Sequence, residues 1–221
     1  MEHNIQKIVI PSEHELTGWY YKKDSKFKTL LFFHGNAGKL ENRIYKLNDL
    51  SKLNINYLII AYRGFSGNEG SPSEDGLYLD ARAAKKWLNS NGIDDNNIIL
   101  YGESLGTAIS IDLAQDFNFA GIILESPFTS MVDLAKIYYP YLPVKLLLKD
   151  KYNSEKKIKN IKTPILIMHG KRDNIVPFYM GKRLFEIANK PKKFLQVEED
   201  DHMLTFNDNL LSEIKNFINK Y

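Results

Sequence analysis

Residues 98–108 read Ile98-Ile99-Leu100-Tyr101-Gly102-Glu103-Ser104-Leu105-Gly106-Thr107-Ala108, and this stretch decides the fold. An apolar run typical of a buried strand is followed by the pattern Gly-x-Ser-x-Gly and then by small residues that a helix accepts. Because glycine has no Cβ, Gly102 and Gly106 let the strand and the helix approach closely enough for a tight turn. The stretch therefore predicts a nucleophile elbow that exposes the hydroxyl of Ser104, with backbone strain at that residue.

Strand and helix patterns alternate on both sides of the elbow. Further apolar runs are at residues 29–33, 57–61, 121–125, 164–170 and 193–197. Helix patterns are at residues 41–52, 74–89, 104–116, 178–188 and 204–219. Because a helix between two strands forces parallel pairing, we predict an α/β fold with a mostly parallel sheet of about eight strands and helices on both faces. Two short strand patterns at residues 5–10 and 16–21 predict an antiparallel hairpin ahead of it.

Residues 126–162 interrupt this alternation. They are rich in aromatic residues and prolines, and include the run Tyr138-Tyr139-Pro140-Tyr141-Leu142-Pro143. We predict that they form short helices and loops that cap the sheet. Since no repeat, low-complexity tract or linker divides the chain, we predict a single domain over residues 1–221.

The composition argues against several classes of protein. The 221 residues include 30 basic and 27 acidic side chains, a net charge of +3 spread evenly, whereas nucleic-acid-binding proteins cluster basic residues. The chain has no cysteine, which excludes a thiol nucleophile, a thiolate metal site and disulfides. No apolar run approaches the roughly 20 residues that span a bilayer, and the N-terminal residues show no secretory signal. We therefore expect a cytoplasmic protein without a nucleic-acid partner or a transmembrane segment.

A serine nucleophile needs a general base, and the base needs a carboxylate that orients it. Of the five histidines, His202 follows the last predicted strand. Catalytic groups of such folds gather at the carboxyl ends of the strands. Asp173 follows the preceding strand and completes the chain order Ser, Asp, His. Glu125 ends another strand and stays open as a second candidate acid. His34 and His169 each precede a glycine at a strand end, where we expect the ring to brace the loop backbone.

The oxyanion formed by attack on a carbonyl group needs two N–H donors. The backbone amide of Leu105 lies at the start of a helix, where the helix dipole also favours negative charge. The loop at residues 34–38 follows the first long parallel strand, and we assign the second donor to the amide of Asn36. Capping of the turn by the Asn36 side chain is the alternative. This chemistry requires no metal and no cofactor.

Taken together, these motifs resemble those of the α/β-hydrolase serine hydrolases. The resemblance is to the small branch that includes membrane-tethered esterase-like proteins and the mammalian protein depalmitoylases. The residues that carry it are His34-Gly35-Asn36-Ala37-Gly38, Tyr62-Arg63-Gly64-Phe65-Ser66, Gly102-Glu103-Ser104-Leu105-Gly106, Glu125-Ser126-Pro127-Phe128-Thr129-Ser130, His169-Gly170-Lys171-Arg172-Asp173, Val176-Pro177 and Asp201-His202. By this resemblance Ser104, Asp173 and His202 match the family's catalytic triad.

The resemblance implies hydrolysis of a carboxylic ester or thioester, carried by a small molecule or an acylated protein. The reaction would pass through an acyl-enzyme on Ser104, with His202 as base and then acid. We assign substrate binding to Tyr138, Tyr141 and Leu142 of the predicted cap and to Met203 beside His202. Their apolar character predicts a preference for acyl chains of medium or long length.

Three other classes of function stay open. An aminopeptidase-like amide hydrolase could use the same three residues and would cleave aminoacyl amides. A non-catalytic binding module could keep the fold and would not react with a fluorophosphonate probe. A peripheral membrane esterase would use the apolar cap, which Lys145, Lys149 and Lys151 flank, and would sediment with liposomes.

Overall fold

The computed structural model describes residues 5–221, and over these residues the strands form one sheet of eight. The strands are β1 (Ile5–Ile10), β2 (Leu16–Tyr21), β3 (Thr29–Phe33), β4 (Asn56–Ile60), β5 (Ile98–Glu103), β6 (Gly121–Glu125), β7 (Ile165–Gly170) and β8 (Lys192–Val197). Their order is β1-β2-β4-β3-β5-β6-β7-β8. The pairs β1–β2 and β2–β4 are antiparallel, and every following pair is parallel. The predicted sheet and the N-terminal hairpin are therefore confirmed.

Helices cover both faces of this sheet, as the alternation predicted. They are α1 (Ile44–Ser51), α2 (Glu74–Ser90), α3 (Leu105–Asp116), α4 (Met131–Tyr138), α5 (Val144–Leu147), α6 (Ser154–Ile158), α7 (Phe178–Ile187) and α8 (Asp208–Lys220), with 3-10 turns at Leu40–Arg43 and Asp95–Asn97. In β3, Leu31 and Phe33 pack in the core beneath α2, α3 and α7, whereas Leu30 and Phe32 pack beneath α1 and α8. Successive side chains of a strand point to opposite faces, so both faces of the apolar strand are buried.

The predicted start of the last helix, at residue 204, is wrong. The helix begins at Asp208, because the Asn207 side chain caps it by accepting a 2.9 Å hydrogen bond from the Leu210 amide. Leu204 is buried in the core instead, and its amide donates to a carboxylate oxygen of Glu125 at 3.3 Å. The apolar residue that suggested a helical turn belongs to the loop that follows His202.

We call residues 126–162 the cap segment. It lies between β6 and β7 and contains the short helices α4, α5 and α6, as the composition predicted. That it covers the candidate active site, and that residues 1–221 form a single domain, stay predictions. Over residues 5–221, no helix is both long enough and apolar enough to cross a membrane.

Candidate active site

Ser104 lies on a tight turn between β5 and α3. Its backbone has φ 51° and ψ −112°, a conformation that is unfavourable for a residue with a Cβ. A Cβ on Gly106 would lie 2.0 Å from the Phe33 carbonyl oxygen, and one on Gly102 would lie 2.5 Å from the Gly106 carbonyl oxygen. Only glycine fits at these two positions, which confirms the steric reason given for the Gly-x-Ser-x-Gly pattern. The turn leaves Ser104 partly exposed.

The structure brings Ser104, His202 and Asp173 into one hydrogen-bonded chain. The Nε2 atom of His202 lies 3.0 Å from the Ser104 Oγ, and its Nδ1 lies 2.9 Å from Oδ2 of Asp173. With the proton on Nδ1, the ring donates to the carboxylate, and Nε2 is free to accept the serine proton. The three residues come from loops after three different strands, so only the folded chain assembles them. This arrangement is suited to activating a hydroxyl.

Asp173 is held by four donors. Its Oδ1 accepts the amides of Ile175 and Val176 at 2.9 and 2.8 Å, and its Oδ2 lies 3.2 Å from Nε2 of His169 as well as near His202. Burial raises the pKa of Asp173, but the hydrogen bonds from His169, His202 and the Val176 amide outweigh burial and hold the pKa well below its usual value. The carboxylate is therefore ionised at neutral pH and can stabilise a protonated His202.

His169 braces its loop, as predicted, because its Nε2 lies 2.9 Å from the Val176 carbonyl oxygen. Its contact with Asp173 was not predicted. The sequence contained a signal for this contact. His169 lies near the end of β7, only four residues before the candidate acid Asp173, so the loop between them can bring the two side chains together. A Cβ on Gly181 would lie 2.2 Å from Nδ1 of His169, so α7 packs directly against the ring. His169 is therefore a rigid support for Asp173.

The loop of His202 is held in place by two contacts, one with Ser126 and one with the end of β7. The Ser126 hydroxyl donates to the His202 carbonyl oxygen at 3.0 Å, and Ser126 itself adopts φ 52°. A Cβ on Gly170 would lie 2.1 Å from the Asp201 carbonyl oxygen, so the end of β7 and this loop touch through their backbones. Both contacts restrict where the imidazole of His202 can lie.

The second candidate acid, Glu125, does not contact the His202 ring through any described hydrogen bond. Its carboxylate accepts from the Tyr101 hydroxyl at 2.5 Å, from the Lys46 ammonium at 2.8 Å and from the Leu204 amide. Asp173 occupies the position beside His202 instead. Glu125 is thus a buried structural residue, and Asp173 is the carboxylate that contacts His202.

Sequence reasoning missed a buried ionic network beneath the elbow. Glu103 and Glu125 lie side by side on β5 and β6, and the fully buried Lys46 bridges them, with its Nζ 2.6 Å from Glu103 and 2.8 Å from Glu125. Arg43 adds contacts of 2.7 and 2.9 Å to Glu103. The sequence did contain a signal for this network. Glu103 and Glu125 each end an apolar strand, and a buried carboxylate needs a partner of opposite charge.

This network holds both sides of the candidate site. Glu103 accepts the Gly35 amide at 3.2 Å on the side of the predicted oxyanion loop, and Glu125 accepts the Leu204 amide on the side of His202. Burial raises the pKa of Glu103, but Lys46 and Arg43 outweigh burial and lower that pKa to about 2. The carboxylate of Glu103 is therefore ionised at neutral pH.

The predicted oxyanion loop lies next to the nucleophile. A Cβ on Gly35 would be 3.4 Å from the Cβ of Ser104, and Asn36, the next residue, is exposed. Leu105 is the first residue of α3, where backbone amides have no partner within the helix. The roles of Asn36 and Leu105 as oxyanion donors stay predictions that this placement favours.

The residues predicted to bind substrate lie open to solvent. Tyr141 is 97% exposed, Leu142 52%, Tyr138 51% and Met203 37%. The Tyr138 hydroxyl donates to the carbonyl oxygens of residues 174 and 175, which directly follow Asp173, at 3.0 and 2.7 Å. The cap segment therefore borders the candidate site, and the binding role of these side chains stays a prediction.

His34 makes the free energy of unfolding depend on pH. Its ring packs against Tyr62 and Phe65, and its Nδ1 lies 2.7 Å from the Gly35 carbonyl oxygen, as expected for a loop brace. Burial lowers the pKa of His34 from 6.5 to about 4. Between these values the unfolded chain binds a proton that the folded chain does not, so stability falls as the pH is lowered from 6.5 to 4.

We expect His34→Phe to remove a slope of up to about 1.4 kcal/mol per pH unit between pH 6.5 and 4, because phenylalanine fits the aromatic site and does not titrate. Urea unfolding at several pH values measures this slope. His14→Phe, at a partly exposed histidine, should keep it. An unchanged slope in His34→Phe would show that His34 is not the titrating group.

Comparisons with known proteins show which family the chain belongs to. A family model described as the prolyl oligopeptidase family, Peptidase_S9, matches residues 75–220. An uncharacterized protein of Mycobacterium tuberculosis is 38% identical over 190 residues, which cover 85% of this chain and 68% of that protein. The human α/β hydrolase domain-containing protein 17B is 38% identical over 178 residues, 79% of this chain and 60% of its own length.

A further relative and a solved structure extend the comparison. The lysophosphatidylserine lipase ABHD12 of Danio rerio is 33% identical over 195 residues, which cover 79% of this chain and 51% of the lipase. The Pyrococcus furiosus esterase Pf2001 superposes with a TM-score of 0.81 at 22% identity, covering 98% of this chain and 92% of the esterase. The likeness to the esterase shows the shared fold.

Proposed function

The chain belongs to the prolyl oligopeptidase family of α/β-hydrolases and is a hydrolase, and from this premise we propose that it cleaves carboxylic esters or thioesters through an acyl-enzyme on Ser104. The observation that carries the proposal is the hydrogen-bonded chain from Ser104 through His202 to Asp173. One of its relatives is named a lysophosphatidylserine lipase, which supports an ester as the substrate class.

In the first half of the reaction, Ser104 Oγ attacks the acyl carbonyl carbon while its proton passes to Nε2 of His202. The carbonyl oxygen becomes an oxyanion that the amides of Leu105 and Asn36 stabilise. Asp173 stabilises the imidazolium through Nδ1. When the tetrahedral intermediate collapses, the bond to the leaving oxygen or sulfur breaks, and His202 returns the proton to the alcohol or thiol.

In the second half, a water molecule replaces the alcohol. His202 takes a proton from the water, and the water oxygen attacks the acyl carbon of acyl-Ser104. The second tetrahedral intermediate releases a carboxylic acid and regenerates the Ser104 hydroxyl with the proton from His202. The reaction therefore consumes only the ester or thioester and one water molecule.

We expect kcat/KM for nitrophenyl esters to rise at least about tenfold from acetate to octanoate, because methylene groups of the longer chain can pack on the apolar residues beside the site. Leu142→Ser should reduce this gain. Leu79→Ser is a matched control on α2, since Leu79 is 51% exposed and Leu142 is 52% exposed. Activity confined to acetate would contradict the predicted chain length.

An amide-hydrolysing activity is the second candidate, because the matching family is named for a peptidase. Turnover of aminoacyl nitroanilides by the same preparation tests it. We expect esters of matched acyl groups to be cleaved faster by wild type. Faster cleavage of the amides, lost in Ser104→Ala, would favour the peptidase candidate over the esterase.

A further inference from the structure

The cap segment exposes a dense cluster of large apolar side chains. Within eleven consecutive residues, seven such side chains are between 44% and 97% exposed. We call them the cap face: Ile137, Tyr138, Tyr139, Tyr141, Leu142, Leu146 and Leu147. Scattered exposed apolar residues are ordinary, but a concentration of this kind marks a surface that another phase or molecule covers.

Lysines are concentrated in the cap segment, which carries the cap face. The cap segment contains eight lysines and three acidic residues, a net charge of +5, whereas the whole chain carries +3 and the rest of it therefore carries −2. The eighth, Lys157, pairs with Asp112, and the other seven are exposed: Lys136, Lys145, Lys149, Lys151, Lys156, Lys159 and Lys162. Contrary to the even distribution expected from the composition, the excess positive charge lies in the cap segment, where apolar side chains are exposed.

The cap face adjoins the candidate active site. Tyr138 contacts the backbone of residues 174 and 175 beside Asp173, as described above. Two further exposed apolar residues, Ile175 and Met203, continue the apolar surface next to Asp173 and His202. A surface bound to the cap face would therefore lie close to Ser104.

We propose that the cap face docks on an anionic lipid bilayer. Tyrosine and leucine side chains suit the boundary between headgroups and acyl chains, and lysines around them are attracted to acidic lipid headgroups. A second copy of the chain fits less well, because a symmetric dimer would bring two faces of net positive charge together. The proposal concerns binding alone and does not depend on the proposed hydrolysis.

Vesicle sedimentation of the full chain carrying Ser104→Ala tests this docking without turnover of lipid. We expect binding to vesicles of phosphatidylcholine with one third phosphatidylglycerol, and weak binding to phosphatidylcholine alone. The pair Lys145→Glu with Lys149→Glu should weaken binding about tenfold or more, as should high salt. The pair Leu146→Asp with Leu147→Asp should abolish it.

Matched controls separate docking from a general effect of charge or folding. Lys22→Glu with Lys215→Glu makes the same change of charge at exposed lysines outside the cap segment, and Leu79→Asp changes an exposed leucine on α2. These variants should bind like the parent. Three results would overturn the proposal: no binding to either vesicle, equal loss of binding in the controls, or a dimer in light scattering that the cap variants dissociate.

Discussion

We expect Ser104→Ala to lower kcat for nitrophenyl octanoate by about 10⁴-fold or more, because the variant lacks the oxygen that forms the acyl-enzyme. His202→Ala should cause a loss of similar size. The double variant should be no worse than either single variant, since the residues act as one unit. Initial rates at saturating substrate, measured on freshly purified protein, give these values.

The loss in Ser104→Ala must occur in a folded protein. We expect the free energy of unfolding of Ser104→Ala to match or slightly exceed that of wild type. The substitution removes a single polar oxygen atom at a partly exposed turn and leaves the backbone as it is. Ser71→Ala, at an exposed serine ahead of α2, is the control and should keep full activity. Residual activity of Ser104→Ala above a few per cent would place the nucleophile elsewhere.

The second large effect is on stability. We expect Lys46→Met to lower the free energy of unfolding by about 3–5 kcal/mol, because methionine leaves two buried carboxylates without their shared cation. The residue is fully buried between Glu103 and Glu125, so water cannot replace the ammonium group. Equilibrium unfolding in urea measures the loss.

Lys52→Met is the matched control, because Lys52 directly follows α1, the helix that contains Lys46. Lys52 pairs with Asp49, but its side chain is 62% exposed. This substitution should cost no more than about 1 kcal/mol. Adding Glu125→Gln to Lys46→Met should recover part of the loss, since it removes the buried charge that loses its cation, whereas Glu103 keeps its contacts with Arg43. A cost for Lys46→Met equal to that of Lys52→Met would show that the network does not stabilise the fold.

The parallel sheet could be predicted because its signals are local. Continuous apolar runs separated by amphipathic helices leave few other topologies, and the glycines at 102 and 106 have a steric role that the sequence alone suggests. The positions of Ser104, Asp173 and His202 followed from the same reasoning, since each lies just after a predicted strand. The structure places them within hydrogen-bond distance.

What could not be predicted depends on contacts between distant residues. Lys46 lies on a helix whose apolar spacing explains its other residues, and only the packing of α1 under β5 and β6 brings its ammonium to Glu103 and Glu125. The start of α8 was missed for a related reason. Leu204 fits a helical pattern, but its amide is taken by Glu125, which is 79 residues away in the chain.

The most direct test is to label the protein with a fluorophosphonate probe and map the adduct by mass spectrometry. We expect one adduct, on Ser104, in folded wild type, much slower labelling of His202→Ala, and no labelling of Ser104→Ala. Folded wild type that stays unlabelled, or an adduct on any other residue, would contradict it.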